Sequence, residues 1–247
     1  MAAVADRRPR GLFVTGTDTG VGKTLTAAAL ARFLAGRGVD VGVMKPVESG
    51  VPDPAELGED GALLCWAAKC DDPADLVSPY RLPEPLAPSL AAERAGVEIQ
   101  LSRLVEAVRQ LSSRHDFLIV EGVGGLLVPL AKNLLVADLA RHLGFPLLIV
   151  CRAGLGTINH TLLTVEASRR RDLPLAGLII NDMPRHPDTA ELHAPEMLAE
   201  WSDLPVWGVL PKVEGHNPRE KVALLAERLS GFACCEQLAS TKPHGKP

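Results

Sequence analysis

The sequence predicts a single α/β domain, a mostly parallel sheet with helices on both faces. Three observations predict it. Short apolar, β-rich runs alternate with stretches of helical periodicity, the order that builds β–α–β crossovers. The runs Phe117 to Val120, Leu147 to Cys151 and Leu175 to Ile180 are apolar nearly throughout, as strands buried on both faces are. A glycine-rich loop follows the first run and opens the first helix. Crossovers in such sheets are right-handed, and ligands bind beyond the carboxyl ends of the strands.

In chain order, Leu12 to Val14 is the first strand. Thr24 to Arg37 follows as a helix, with Leu25, Ala29 and Phe33 on one face and Gly36 and Gly38 ending it. Val39 to Met44 is the next strand, closed by Pro46. A long acidic, Pro- and Gly-bearing loop spans Glu48 to Glu59, and Ala62 to Lys69 is a short helix. The many prolines of 71–100 predict mostly irregular chain. Helices are expected over Leu101 to Ser112, Ile158 to Arg169, Ala190 to Trp201 and Arg219 to Leu229, with a last strand over Val206 to Leu210. The reading places a flexible start at 1–10, the folded domain at 11–230 and a frayed tail at 231–247.

Composition narrows the function classes. A chain of 247 residues, 47% hydrophobic, suits one large core. Its 26 basic and 30 acidic residues leave a net charge of −4, which excludes the global basic field of a nucleic-acid binder. No apolar run approaches the roughly 18–20 residues that span a bilayer. The start, MAAVADRRPRG, has arginines without an apolar stretch, unlike a secretory signal. The protein is expected to be cytoplasmic, with no membrane partner. Its five cysteines form no CxxC pair and are expected to be reduced thiols. No histidine is assigned to a metal.

The loop Gly16-Thr17-Asp18-Thr19-Gly20-Val21-Gly22-Lys23-Thr24 carries the first chemical signal. A phosphate needs backbone N–H groups aimed at it without Cβ obstruction, which glycines and a helix N-terminus provide. Lys23 can reach the β- and γ-phosphates, and the Thr24 hydroxyl can ligate Mg²⁺. Five residues separate Gly16 from Gly22, one more than in the ordinary phosphate-loop spacing. Glu121 ends a buried strand, where a carboxylate can face the loop and hold Mg²⁺. Gly122, Val123 and Gly124 follow it, with glycines that admit a ligand close to the backbone. Lys45 sits at the tip of the second strand, where a solvated lysine is the ordinary alternative. Asn181 and Asp182 end another strand; an Asx turn or an amide that reads a purine edge both fit there.

Taken together, GTDTGVGKT, KPVESG, VEGVGG, the Ile158-Asn159-His160 triplet and IIND resemble the dethiobiotin synthetases in order and spacing, from about residue 11 to about 230. The longer phosphate loop is itself a feature of that family. The resemblance implies a P-loop NTPase fold, a homodimer, and ATP with Mg²⁺ as cofactors. It implies conversion of 7,8-diaminopelargonic acid and CO₂ to dethiobiotin, through a carbamate and a carbamic-phosphoric mixed anhydride. Gly20, Val21, Gly22, Lys23, Thr24 and Leu25 would cradle the phosphates. Lys23 and Lys45 would flank the carbamate and the γ-phosphate, with Thr19 and Ser49 bonded to carbamate or diamine. Thr24, Asp60 and Glu121 would organise Mg²⁺. Asn181 and Asp182 would face the adenine, with Pro211, Lys212 and Val213 over the base. Gly156, Thr157 and Asn159 would bind the substrate's carboxylate tail across the dimer interface.

Two alternatives stand beside it. A partitioning ATPase of the ParA/MinD type typically has a lysine early in the loop, where this chain has Asp18. A cobyrinate-type ATP-dependent amidoligase normally adds a glutaminase domain, for which 247 residues leave no room.

Overall fold

The computed structural model describes residues 10–240. The expectations for residues 1–9 and 241–247 lie outside the described residues. The chain opens with β1 (Gly11–Gly16), α1 (Lys23–Gly36) and β2 (Val41–Met44). A peripheral excursion follows, through β3 (Val47–Ser49), α2 (Glu59–Ala68), α3 (Ala74–Val77), β4 (Tyr80–Leu82) and α4 (Pro88–Arg94). Next, α5 (Leu101–Arg114) returns the chain to β5 (Phe117–Gly125). The hairpin of β6 (Pro129–Ala131) and β7 (Leu134–Leu135) leads through α6 (Val136–Leu143) to β8 (Leu147–Arg152). Last come α7 (Thr157–Arg169), β9 (Leu175–Met183), α8 (Thr189–Ser202), β10 (Val206–Pro211), α9 (Pro218–Leu229) and α10 (Ala233–Ser240).

The main sheet has the order β10-β9-β8-β1-β5-β2, and every neighbouring pair is parallel. From β1 the chain first builds β2 and β5 on one side, then crosses to β8, β9 and β10 on the other. This reversal opens a crevice at the carboxyl end of β1, where such sheets bind ligands. Apolar clusters cover both faces, which is why Phe117 to Val120 is buried at every position. Helix α1 is buried further round than the one-face pattern suggests. Thr26 to Ala31 are all fully buried, because α2 and α9 both pack on it. Its alanines let those neighbours approach, and Leu25 is left only half-buried.

Several segments differ from the sequence reading. The stretch 71–100 contains α3, β4 and α4. Its prolines start helices: Pro73 caps α3, and Pro88 stands in the first turn of α4, where the missing N–H costs no bond. Part of the long loop after Glu48 pairs as β3 with β4. Within the stretch expected to fray, α10 forms, with Cys235 fully buried and Phe232, Leu238 and Ala239 packed on the same core. Gly208 makes room for it, since a Cβ there would lie 2.1 Å from the Phe232 ring. Among the described residues no helix is long and apolar enough to cross a membrane.

One polar knot ties β2, α5 and the start of the proline-bearing stretch together. His115 Nδ1 lies 2.7 Å from Asp40 Oδ1, and its Nε2 lies 2.7 Å from Asp72 Oδ2. Arg114 also pairs with Asp72. Burial alone would lower the imidazole pKa, but hydrogen bonds to the two carboxylates raise it above its usual value. A folded-state pKa above the unfolded one stabilises fully below about pH 6.5, and the gain fades as pH rises through the folded value. Urea unfolding should therefore show wild-type stability falling more between pH 6 and pH 8.5 than in His115→Gln. Parallel pH profiles for the two proteins would refute this.

Candidate active site

The loop after β1 has the geometry of an anion cradle. Gly20 and Gly22 have φ of 74° and 91°, a left-handed backbone that glycine adopts without strain. Gly22 caps α1 without any side-chain hydrogen bond, so N–H groups of the first helical turn stay available to a phosphate. Val21 is buried beneath the loop. The Lys23 ammonium donates to the Asp18 carbonyl of its own loop at 2.9 Å. Burial lowers the pKa of Lys23, against the pull of Glu121. A cleft of about 370 Å³ adjoins the loop. Thr19, Gly20, Gly22, Lys23, Thr24 and Leu25 line it on one side. Lys45, Ser49, Asp60, Glu121, Val123 and Gly124 line the rest.

Four elements deliver the charged groups. Glu121, in β5, is completely buried. Its Oε1 accepts hydrogen bonds from Thr24 Oγ1 at 2.8 Å and from Lys45 Nζ at 2.7 Å. Lys45, just past β2, pairs also with Asp60 of α2 at 2.7 Å. Burial would push the Lys45 pKa down, but the charges of Glu121 and Asp60 hold it above its usual value. Burial pushes the Glu121 carboxyl up, opposed by Lys45. Glu121 Oε2 is buried with no hydrogen-bond partner. This orphan oxygen, the Thr24 hydroxyl and the Asp60 carboxylate are hard oxygen donors of the kind Mg²⁺ takes, with one or two carboxylates and the rest from phosphate and water. The residues present therefore fit Mg²⁺.

Other expected site residues fall in three places. Gly122 lies off the cleft: a Cβ there would meet Phe13 and Val136, because side-chain positions alternate across a strand. Asn181 is buried and donates from Nδ2 to the Val21 carbonyl at 3.0 Å. Beside it, Asp182 has φ of 63°, and the Lys212 N–H donates to the Met183 carbonyl. Asn181, Asp182, Pro211, Lys212 and Val213 thus gather at the carboxyl ends of β9 and β10. Gly156 and Thr157 instead line a separate apolar cleft with Thr189 and His193, and Asn159 is exposed. Within the chain these three are not brought to the phosphate cleft. One cleft residue escaped the sequence reading: Glu48 lines the cleft, and the Lys45-Pro46-Val47-Glu48-Ser49 run was the available signal for it. Beside the loop, Arg152 pairs with Asp18 at 2.9 Å.

Lys45 is thus the counter-ion of a fully buried acid. Removing one partner of a buried pair typically costs about 3–5 kcal/mol. Lys45→Met should lose stability on that scale in chemical denaturation, and Lys45→Met/Glu121→Gln should recover most of it while remaining inactive. A fully stable single variant would contradict the pairing.

A family model described as an AAA domain matches residues 10–220. The chain is 50% identical over 189 residues to the ATP-dependent dethiobiotin synthetase BioD of Anaeromyxobacter dehalogenans, covering 76% of this chain and 84% of that protein. It is 42% identical over 211 residues to the enzyme of the same name from Thermodesulfovibrio yellowstonii, covering 81% and 88%. Among solved structures, the septum site-determining protein MinD of Pyrococcus horikoshii, complexed with Mg-ADP, superposes with a TM-score of 0.57 at 18% identity, covering 93% of this chain and 92% of that one. That likeness concerns the fold alone. Identity at this level over most of both chains, on a phosphate loop facing a lysine–carboxylate cleft, means that this chain belongs to the ATP-dependent dethiobiotin synthetase family.

Proposed function

We propose that the protein catalyses ATP- and Mg²⁺-dependent carboxylation and ring closure of 7,8-diaminopelargonic acid to dethiobiotin, a step of biotin biosynthesis in the cytoplasm. The carrying observation is that Lys23 and Lys45 line one cleft beside the phosphate loop. The relatives' names support the same reading.

An amine captures CO₂ only when neutral, and neighbouring ammonium groups lower an amine's pKa. Two lysines on one cleft favour that neutral amine and then neutralise the carbamate anion it becomes. Lys45 can exchange Glu121 and Asp60 for this new anion. A carbamate oxygen attacks the γ-phosphorus, the bond to the β-phosphate oxygen breaks, and ADP leaves. Lys23 and the loop N–H groups hold the phosphates in line, and such positioning and charge neutralisation dominate phosphoryl transfer. Thr24, Asp60 and Glu121 would hold Mg²⁺, which when bound offsets phosphate charge. The second amine then attacks the carbonyl carbon of the mixed anhydride and expels phosphate. This closure is intramolecular, so Ser49 and Thr19 contribute by holding the chain in place. Asn181 would read the adenine through its Oδ1, with Pro211, Lys212 and Val213 over the base.

A homodimer with composite sites completes the reading. Gly156 begins α7 with φ of 90° and no side-chain cap, an anion site suited to a carboxylate. A third cleft of about 310 Å³ joins Thr19 to Leu127, His160 and Leu163. Leu127, Leu155 and Leu163 are exposed apolar residues, 48%, 93% and 59% accessible, and a second copy related by a two-fold axis would cover them.

ATP hydrolysis should rise many-fold on adding 7,8-diaminopelargonate with bicarbonate, and dethiobiotin should appear one for one with ADP. Turnover indifferent to the diamine would point instead to a switch-type ATPase. Mixing inactive Lys23→Ala with inactive Asn159→Asp should restore partial activity, since one site of each mixed dimer carries neither defect. No rescue despite demonstrated subunit exchange would mean that each site is built within one chain.

A further inference from the structure

Glu48 is an unusual residue for its position. It lies in β3, three residues after Lys45, and is only 6% exposed. Its Oε1 accepts the Asp60 N–H at 2.8 Å, and its Oε2 accepts the Gly61 N–H at 3.1 Å. These are first-turn donors of α2, whose own cap residue, Gly58, supplies no side-chain bond. The first turn of a helix leaves its N–H groups without intrahelical partners, and its positive end favours an anion. A carboxylate from another element fills that role here. Space is reserved for it: a Cβ on Gly58 would lie 2.2 Å from Glu48 Oε1, and one on Gly61 would lie 3.3 Å from Oε2. Burial pushes the Glu48 carboxyl up, and the Asp60 N–H opposes that.

The held residue is the one that matters. Asp60, whose N–H is clamped, is the residue whose carboxylate meets Lys45 at 2.7 Å. We propose that Glu48 is a positioning residue, whose two-oxygen clamp on the first turn of α2 aims the Asp60 carboxylate at Lys45 and the cation position. The proposal rests on the assignment of Asp60 to the cation made above. An amide in place of the carboxylate keeps the shape but turns one acceptor into a donor facing an N–H, so the clamp is halved without emptying the space.

The test is the free Mg²⁺ needed for half-maximal binding of a non-hydrolysable ATP analogue, followed by titration calorimetry. Groups that orient metal ligands typically contribute about 10–100-fold to metal affinity. Glu48→Gln should raise the half-maximal Mg²⁺ about 10-fold, with analogue affinity in the absence of Mg²⁺ unchanged. Glu48→Gln/Asp60→Asn should be no worse than Asp60→Asn alone, because a residue acting through another adds nothing once that other is gone. Gly61→Ala suits the helix but crowds Oε2, and should raise the Mg²⁺ requirement a few-fold even where Glu48→Gln fails to fold. Unchanged Mg²⁺ dependence in Glu48→Gln and Gly61→Ala, or additive losses in the double variant, would overturn the role and leave a simple helix cap. Wild-type binding indifferent to Mg²⁺ would overturn it together with the Asp60 assignment. These binding measurements are independent of diamine turnover, so failure of ring formation leaves them readable.

Discussion

A carboxylate buried within a central strand has to be compensated. Glu121 is completely buried, and isolated burial of such a charge is prohibitively unfavourable. Compensation comes from two directions, Lys45 at the end of β2 and the Thr24 hydroxyl in the first turn of α1. Asp60 then answers the remaining capacity of the Lys45 ammonium. The geometry of the cleft follows from that single requirement. β2, α1 and α2 are each drawn to the same point, and the phosphate loop between β1 and α1 is carried with them. The same arrangement leaves Glu121 Oε2 without a partner, an unmet demand for positive charge beside the loop.

The sheet order makes this convergence possible. With β1 central and β5 beside it, the loops after both strands open on one crevice. Packing supports the same end. The alanines of α1 let α2 approach closely, and α2 brings Asp60. Glycines act where backbone or carboxylate must come near. Gly22 takes a left-handed conformation that a side chain would strain, and Gly58 leaves room for Glu48. Polar and apolar requirements therefore agree at the cleft.

Much of this was legible in the sequence because it is local. The alternating apolar runs gave the sheet and its helices, and the glycines with Lys23 and Thr24, set between the first strand and the first helix, gave the phosphate loop. Glu121 and Lys45 were visible as expected strand ends, a position the fold class makes meaningful, although β5 runs past Glu121 to Gly125. What stayed hidden depends on pairings distant in sequence. The Lys45–Glu121 pair spans 76 residues, and no periodicity encodes it. In the stretch 71–100, prolines read as breakers, yet Pro88 starts a helix, because Pro breaks helices in the interior and favours them at the first turn. Gly122 was grouped with its neighbours by composition, whereas strand alternation turns it to the other face. The helix α10 exists because Phe232 and Cys235 find the core, a tertiary fact that a polar tail conceals.

The contact between Asn181 and the phosphate loop bears on redesign. Its amide donates to the Val21 carbonyl and lies where a Cβ on Gly22 would come within 2.0 Å. Under the proposed function Asn181 faces the adenine, and the same residue braces the phosphate loop. Libraries that vary position 181 to change the accepted nucleobase would alter loop shape at the same time, so selectivity and affinity would move together.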